Sequence, residues 1–298
     1  MTENIENLPE KPPLAVIAGP TASGKSARAL ALAKSRNGVI INADASQLYR
    51  DLRVLSARPD WEEEAEAPHR LYGLIDAAQA CSAATWAEMA KREIVAAHES
   101  GRLPILVGGT GLYLNTLLRG LAPVPEIDAP VRAGVRELST TALAAALSRE
   151  DEKMAARLRP SDTQRLARAL EVMRSTGVSL ADWQERRQGG IAGSVRLTVE
   201  IVDRPRADLY ARCDARFDAM LAGGALEEVR ALMGRGLSAD LPAMKAIGVP
   251  PLAAHLAGQT TLAEATEIAK RDTRRYAKRQ QTWFRTQMRW AAQALTRG

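Results

Sequence analysis

Short, wholly apolar runs separated by amphipathic stretches organise the first third of the chain. Leu14–Ala18, Val39–Ile41 and Pro104–Val107 are three such runs, each too short for a stable helix. Alanine-rich segments with helical spacing lie between them, the first from Ala27 to Ser35. Strands that are apolar at every position and alternate with helical patterns predict a parallel sheet with crossover helices. From Pro123 to Gly190 the texture is helical, with prolines 123, 125 and 130 at the entry and Gln188-Gly189-Gly190 at the exit. A helix is expected to start at Pro160-Ser161-Asp162-Thr163, with Leu166, Ala169, Leu170 and Met173 on its apolar face. The chain then returns to a strand-like run, Val195–Val202. Beyond it, Asp208–Arg235 reads as one long helix and Leu241–Gly248 as a loop carrying Lys245.

The ends of the apolar runs carry the chemistry. After the first comes Gly19-Pro20-Thr21-Ala22-Ser23-Gly24-Lys25-Ser26, a G-x-x-x-x-G-K-S match flanked by a strand and a helix. Glycines let successive backbone N–H groups curl around an anion, and the following helix adds the positive end of its dipole. Lys25 offers a point charge to a terminal phosphate, and the Ser26 hydroxyl is a candidate ligand for Mg²⁺. The second run ends in Asn42-Ala43-Asp44-Ala45-Ser46-Gln47, and the third in Gly108-Gly109-Thr110-Gly111. Ligands of such sheets sit beyond the carboxyl ends of the strands, so the loop at 19–26, Asp44 and Thr110 are expected to share one cleft. Taken singly, Asp44 and Thr110 read equally well as turn residues. The expected fold class is α/β, a P-loop NTPase-like parallel sheet flanked by helices. Its core is residues 14–122 and 191–298, with an all-helical insertion at 123–190 and a tail at 1–13.

Composition narrows the field. The 298 residues are 46% hydrophobic and 26% charged, with only 4% aromatic. No apolar run approaches the roughly 20 residues a membrane-spanning helix needs. The polar, acidic start has no apolar core of a signal peptide. Two cysteines, Cys81 and Cys213, are too few for a disulfide framework or a zinc site, and fit a reducing cytoplasm. The net charge of +6 hides an asymmetry: from Lys270 onward there are nine Lys or Arg and one acid, Asp272. Read as a helix, Arg271, Arg275, Lys278, Thr282, Arg285 and Arg289 share one face, and Tyr276, Trp283 and Trp290 another, where they are expected to anchor the helix to the core. The stripe is either a solvated face or a footprint for a phosphate backbone. Its lack of interleaved acids favours nucleic acid.

The loop, Asn42-Ala43-Asp44-Ala45-Ser46-Gln47-Leu48-Tyr49-Arg50, Leu106-Val107-Gly108-Gly109-Thr110-Gly111-Leu112-Tyr113, Asp162 to Val172 and Ala277 to Arg285 together resemble the bacterial tRNA dimethylallyltransferases. The resemblance implies transfer of a dimethylallyl group from its diphosphate to N6 of adenosine 37, beside the anticodon. It makes the loop a diphosphate site that does not require ATP, with Mg²⁺ as cofactor. Asp44 is then the base, Thr110 positions the target and Arg132 contacts tRNA near the site. Asp44, Ala45, Ser46, Gln47, the helix start Gln164, Arg165, Leu166, Ala167 and Arg168, and Lys245, Arg275 and Lys278 are implied tRNA contacts. The protein is expected to act as a cytoplasmic monomer on the anticodon stem-loop. This chain departs from the family pattern at Ala45, at Leu55-Ser56-Ala57-Arg58 and at Val249-Pro250. A small-molecule kinase would use the same loop with ATP, and a non-catalytic RNA-binding module would keep the basic helix without needing Asp44. No apolar run ends in the Asp that a kinase would set beside its Mg²⁺.

Overall fold

The structure is a computed structural model and describes residues 10–288. The chain divides into two compact units, residues 1–117 with 192–298, and residues 118–191.

The larger unit is built on a five-stranded sheet of order β3-β2-β4-β1-β5, parallel throughout. The strands are β1 (Pro13–Ala18), β2 (Gly38–Asn42), β3 (His69–Arg70), β4 (Leu103–Gly108) and β5 (Arg196–Ile201). The three apolar runs form the centre of the sheet, where Ile17, Ile41, Ile105 and Leu106 are fully buried. Each such side chain contributes roughly 1.5–3 kcal/mol by leaving water. β3 has only two residues and no apolar signature, so periodicity could not reveal it. The register pairs Ala18 with Gly108 and with Ile201, and Asn42 with Val107, so the strands end level at one edge.

Helices α1 (Lys25–Ser35), α2 (Trp61–Glu66), α3 (Ala83–Glu99) and α4 (Gly111–Arg119) belong to the first half of the chain. Helix α3 buries Trp86, Ala87, Ala90, Ile94 and Ala97 along one stripe. The Trp86 indole N–H donates to the Asn42 carbonyl at 2.9 Å and its ring stacks on Tyr113 at 4.7 Å, which fixes the end of β2 against the start of α4.

The smaller unit is helical: α5 (Ala129–Arg136), α6 (Thr140–Glu150), α7 (Glu152–Arg157), α8 (Thr163–Thr176) and α9 (Leu180–Glu185). Asp162 caps α8 through the Arg165 N–H at 3.3 Å. Its core holds Val135, Leu143, Leu147, Leu166, Ala169 and Leu170. Leu166 is 2% exposed, which corrects its place among the tRNA contacts: it is a core residue. Gln164, Arg165 and Arg168 are exposed, and Ala167 is half-buried. Glu171, nearly buried, lies 3.8 Å from Arg168 and 3.9 Å from Arg136, while Asp162 lies 3.5 Å from Arg165. Arg132 sits half-buried on α5.

The chain returns through β5 to α10 (Arg206–Ala222), α11 (Ala225–Gly234), α12 (Val249–Leu256) and α13 (Leu262–Gln287). The single helix expected over 208–235 is two. Gly223 ends α10, and Gly224 takes φ +98°, a conformation that an L side chain resists, before α11 begins. The expected loop at 241–248 contains one 3₁₀ turn, Ala243–Lys245. Val249 is fully buried at the start of α12, so it is packing, not surface.

Helix α13 opens with a capping box between Thr261 and Glu264. It buries Ala265, Ala269, Thr273, Ala277, Gln280, Gln281 and Phe284. That stripe holds it to the core, and the Trp283 ring adds to it by lying against Gly111, where a Cβ would come within 2.3 Å of the indole. Small residues dominate it, so α13 packs closely enough to α10 for Arg274 to meet Asp214 at 2.7 Å. Arg271, Arg275, Lys278, Thr282 and Arg285 are exposed on the other side, and Arg289 and Trp290 lie outside the described residues. Asp272 lies 3.6 Å from Arg271 and 3.7 Å from Arg275.

Candidate active site

The loop between β1 and α1 turns back over the level strand ends, and its oxygens are covered by cations. Lys25 Nζ donates to the Pro20 carbonyl at 3.3 Å, Arg212 Nε to that of Ala22 at 2.8 Å, and Arg204 Nε to that of Ser23 at 2.7 Å. The Arg216 guanidinium hydrogen-bonds the Thr21 hydroxyl. Two loop amides are also occupied, Ser23 N–H by the Pro20 carbonyl and Thr21 N–H by Gln280 Oε1 at 2.8 Å. Ser23 is fully buried. Its hydroxyl has no hydrogen-bond partner among the described residues, and the amides that open α1, at Gly24, Lys25 and Ser26, form a candidate anion cradle.

A cavity of about 440 Å³ faces this cradle, lined by Ala22, Gly24, Lys25, Ser26, Arg212, Ala215 and Arg216. Burial pulls the Lys25 ammonium down to about 8, against the raising effect of the Asp44 carboxylate. Burial also lowers the Arg216 guanidinium, although Cys213 and Asp44 oppose it. Two desolvated cations without a matching pair of carboxylates form a site that awaits an anion. For a metal ion the protein offers little beyond the Ser26 hydroxyl, and no cluster of three His, Cys, Asp or Glu exists among the described residues. That donor set suits a cation that takes most of its ligands from phosphate oxygens and water.

A second cavity, of about 380 Å³, shares Arg216 with the first. Thr21, Asp44, Ala45 and Ser46 line it, and so do Tyr113, Tyr276 and the apolar group Leu52, Leu55, Phe217 and Met220. Lys245 and Arg279, both exposed, also line it. Asp44 Oδ1 accepts the Ser46 N–H at 3.1 Å and the Ser46 hydroxyl at 2.8 Å. Its Oδ2 has no protein partner among the described residues. Thr110 Oγ1 accepts the Ala45 N–H at 3.0 Å, and Thr110 N–H donates to the Ala43 carbonyl at 3.2 Å. The ends of β2 and β4 are thus sewn together, and position 45 is served by its backbone whatever side chain it carries. Gln47 turns away, donating to the Ser56 and Ala57 carbonyls at 3.0 and 2.7 Å. Lys245 pairs with Asp240 at 2.9 Å.

Sequence reasoning missed Arg204, Arg212, Arg216, Tyr276 and Gln280. Arg216 had a signal: it falls within the stripe Cys213, Phe217 and Met220 that α10 buries, where a charge needs a reason. Burial, with the Asp44 carboxylate nearby, raises the Tyr276 phenol. It faces the cavity instead of anchoring the helix. One expectation needs amending: β5 does run into an acid, Asp203. That carboxylate is held by Gln281 at 2.7 Å and Arg285 at 3.0 Å and lines neither cavity.

Comparison with known proteins agrees with this arrangement. A family model described as IPP transferase matches residues 47–287. A protein of Zymomonas mobilis named tRNA dimethylallyltransferase is 54% identical over 95% of this chain and 91% of its own length. One of the same name from Sphingopyxis alaskensis is 57% identical over 92% of this chain and 90% of its own. Among solved structures, the tRNA isopentenylpyrophosphate transferase of Bacillus halodurans superposes with a TM-score of 0.67 at 36% identity, covering 93% of this chain and 88% of that one. A eukaryotic dimethylallyltransferase described as acting on tRNA reaches 0.78 at 26% identity, over 92% and 70%. Likeness of this extent, carried by sequence and fold alike, makes the chain a member of the IPP transferase family.

Proposed function

We propose that this protein transfers a dimethylallyl group from dimethylallyl diphosphate to N6 of adenosine 37 of tRNA, releasing diphosphate. One observation carries the reading: the cations Lys25 and Arg216 line a cavity that adjoins the one lined by Asp44, whose Oδ2 has no protein partner among the described residues. The cations and the α1 amides take up the charge that develops on the departing diphosphate. Mg²⁺ carried in with the donor, with Ser26 as its protein ligand, would add to that neutralisation. Asp44 orients the exocyclic amine and accepts its proton as the new C–N bond forms and the C–O bond to diphosphate breaks. Thr110, fixed by Ala45, holds the target beside it. The base must leave its stack to enter, at a cost of a few kcal/mol. The exposed cations of α13, with Lys245 and Arg279 lining the cavity, offset that cost by gripping phosphates. Arg132, Gln164, Arg165 and Arg168 are further tRNA contacts within the helical unit. The chain is expected to act as a cytoplasmic monomer. No helix among the described residues is long and apolar enough to cross a membrane. Cutting treated tRNA with a base-specific ribonuclease and weighing the fragments tests the reading: a five-carbon isoprenoid gain confined to adenosine 37 supports it, and unchanged fragments oppose it.

Two further outcomes are expected. Donor affinity should fall as pH rises through about 8, because Lys25 is charged below that value and neutral above it. Each unit beyond removes about tenfold of the charged form. Calorimetric titration with the donor between pH 6.5 and 9.5 checks the direction. Charge reversal at Arg275 and Lys278 should weaken tRNA binding and flatten its salt dependence, each lost phosphate contact taking about 0.7–0.9 from the log–log slope. Donor affinity should not change. An unaltered slope would make the stripe a solvated face.

A further inference from the structure

Gln280 sits on the buried face of α13, 5% exposed, opposite the basic stripe of the same helix. Both ends of its amide are in use. Oε1 accepts the Thr21 N–H at 2.8 Å, and Nε2 donates to the Gly109 carbonyl at 2.9 Å. Thr21 belongs to the loop after β1 and Gly109 to the turn after β4, so one side chain bridges the two strand ends. The fit leaves no slack. A Cβ at Gly109 would lie 2.2 Å from Gln280 Nε2, so the turn must carry glycine for the amide to reach it. Tyr276, one turn earlier, lines the acceptor-side cavity with Thr21 and Asp44.

We propose that Gln280 is a positioning residue, whose amide sets the distance between the diphosphate loop and the Gly109-Thr110 turn and so aligns donor carbon with target amine. The inference rests on the transfer reading given above. Displacement transfer needs nucleophile, carbon and leaving group in line, and a misplacement of 1 Å can cost about 10²-fold. An amide suits the task because one rigid plane presents an acceptor and a donor about 2 Å apart. The loop offers an N–H and the turn offers a C=O, and no other uncharged side chain of this length satisfies both. A packing role alone predicts a different pattern: lost stability, with the rate per folded molecule unchanged.

Gln280→Met keeps the length and apolar bulk and removes both hydrogen bonds. With wild-type transfer established first, its kcat at saturating substrates should fall by about 10–100-fold. Its affinity for tRNA should stay within about twofold, since the outer face of α13 is untouched. Amide exchange should quicken together at residues 21–24 and 108–111. A kcat within about twofold of wild type would overturn the proposal, and so would faster exchange at one segment with the other unchanged. Should Gln280→Met lose its circular dichroism, Gln280→Glu takes its place: it retains the acceptor for Thr21 and cannot donate to Gly109. Its kcat should also drop by at least about tenfold, and a wild-type kcat there would equally overturn the proposal. If the wild-type protein transfers nothing, the functional reading fails, while the paired exchange measurement still decides whether Gln280 bridges the two segments.

Discussion

Lys25→Ala is expected to abolish transfer while leaving the fold intact. The ammonium contributes little to folding: burial already lowers it to about 8, and its one hydrogen bond, to Pro20, is long at 3.3 Å. Its value lies in the charge it sets against the leaving diphosphate. A unit charge about 4 Å from another, at an effective dielectric near 20, contributes about 4 kcal/mol, or close to a thousandfold in rate. Diphosphate gathers more than one negative charge as it leaves, so the loss should exceed that figure. Arg216 lines the same cavity and supplies its own charge, but it does not replace the charge lost at Lys25. Single-turnover transfer alongside far-ultraviolet circular dichroism decides it. Near-normal activity with an unchanged spectrum would remove the loop from the mechanism.

Asp44→Asn is expected to lower single-turnover transfer by about 10²–10⁴-fold, the usual range for loss of a general base, with tRNA binding retained. The substitution is mild for the backbone. An asparagine carbonyl can still accept the Ser46 N–H and hydroxyl now held by Oδ1, so the turn after β2 should persist. Only the second oxygen, which has no protein partner among the described residues, changes from a proton acceptor to an amide donor. A mutant that transfers at the wild-type rate would reduce Asp44 to a turn residue.

Much of this architecture was legible in the chain because parallel strands buried on both faces must be apolar at every position. β1, β2 and β4 stand out for that reason, and β5 through its place after the helical stretch. The loop at 19–26 was legible because a strand, two glycines and a helix leave few alternative geometries. What escaped was tertiary. β3 is too short to have a period. The break between α10 and α11 needs only the left-handed Gly224, and glycine pairs also occur inside helices. Leu166 and Gln164 sit two residues apart on α8, yet one is core and the other surface, a distinction that a contiguous motif blurs. Arg212 and Arg216 reach the loop from a helix about 190 residues away in sequence, and only folding reveals that contact. Tyr276 looked like an anchor from its seven-residue spacing. The anchoring stripe is instead mostly alanine, threonine and glutamine, with Phe284 at its end, and carries little hydrophobic signature.

The most direct test is incubation of the wild-type protein with radiolabelled dimethylallyl diphosphate and unmodified tRNA, with Mg²⁺ present and ATP absent. Label should appear in tRNA with one group per molecule at completion, and added ATP should not be required. Label that stays with the diphosphate, or that reaches tRNA only when ATP is supplied, would contradict a prenyl transfer driven by the donor's own leaving group.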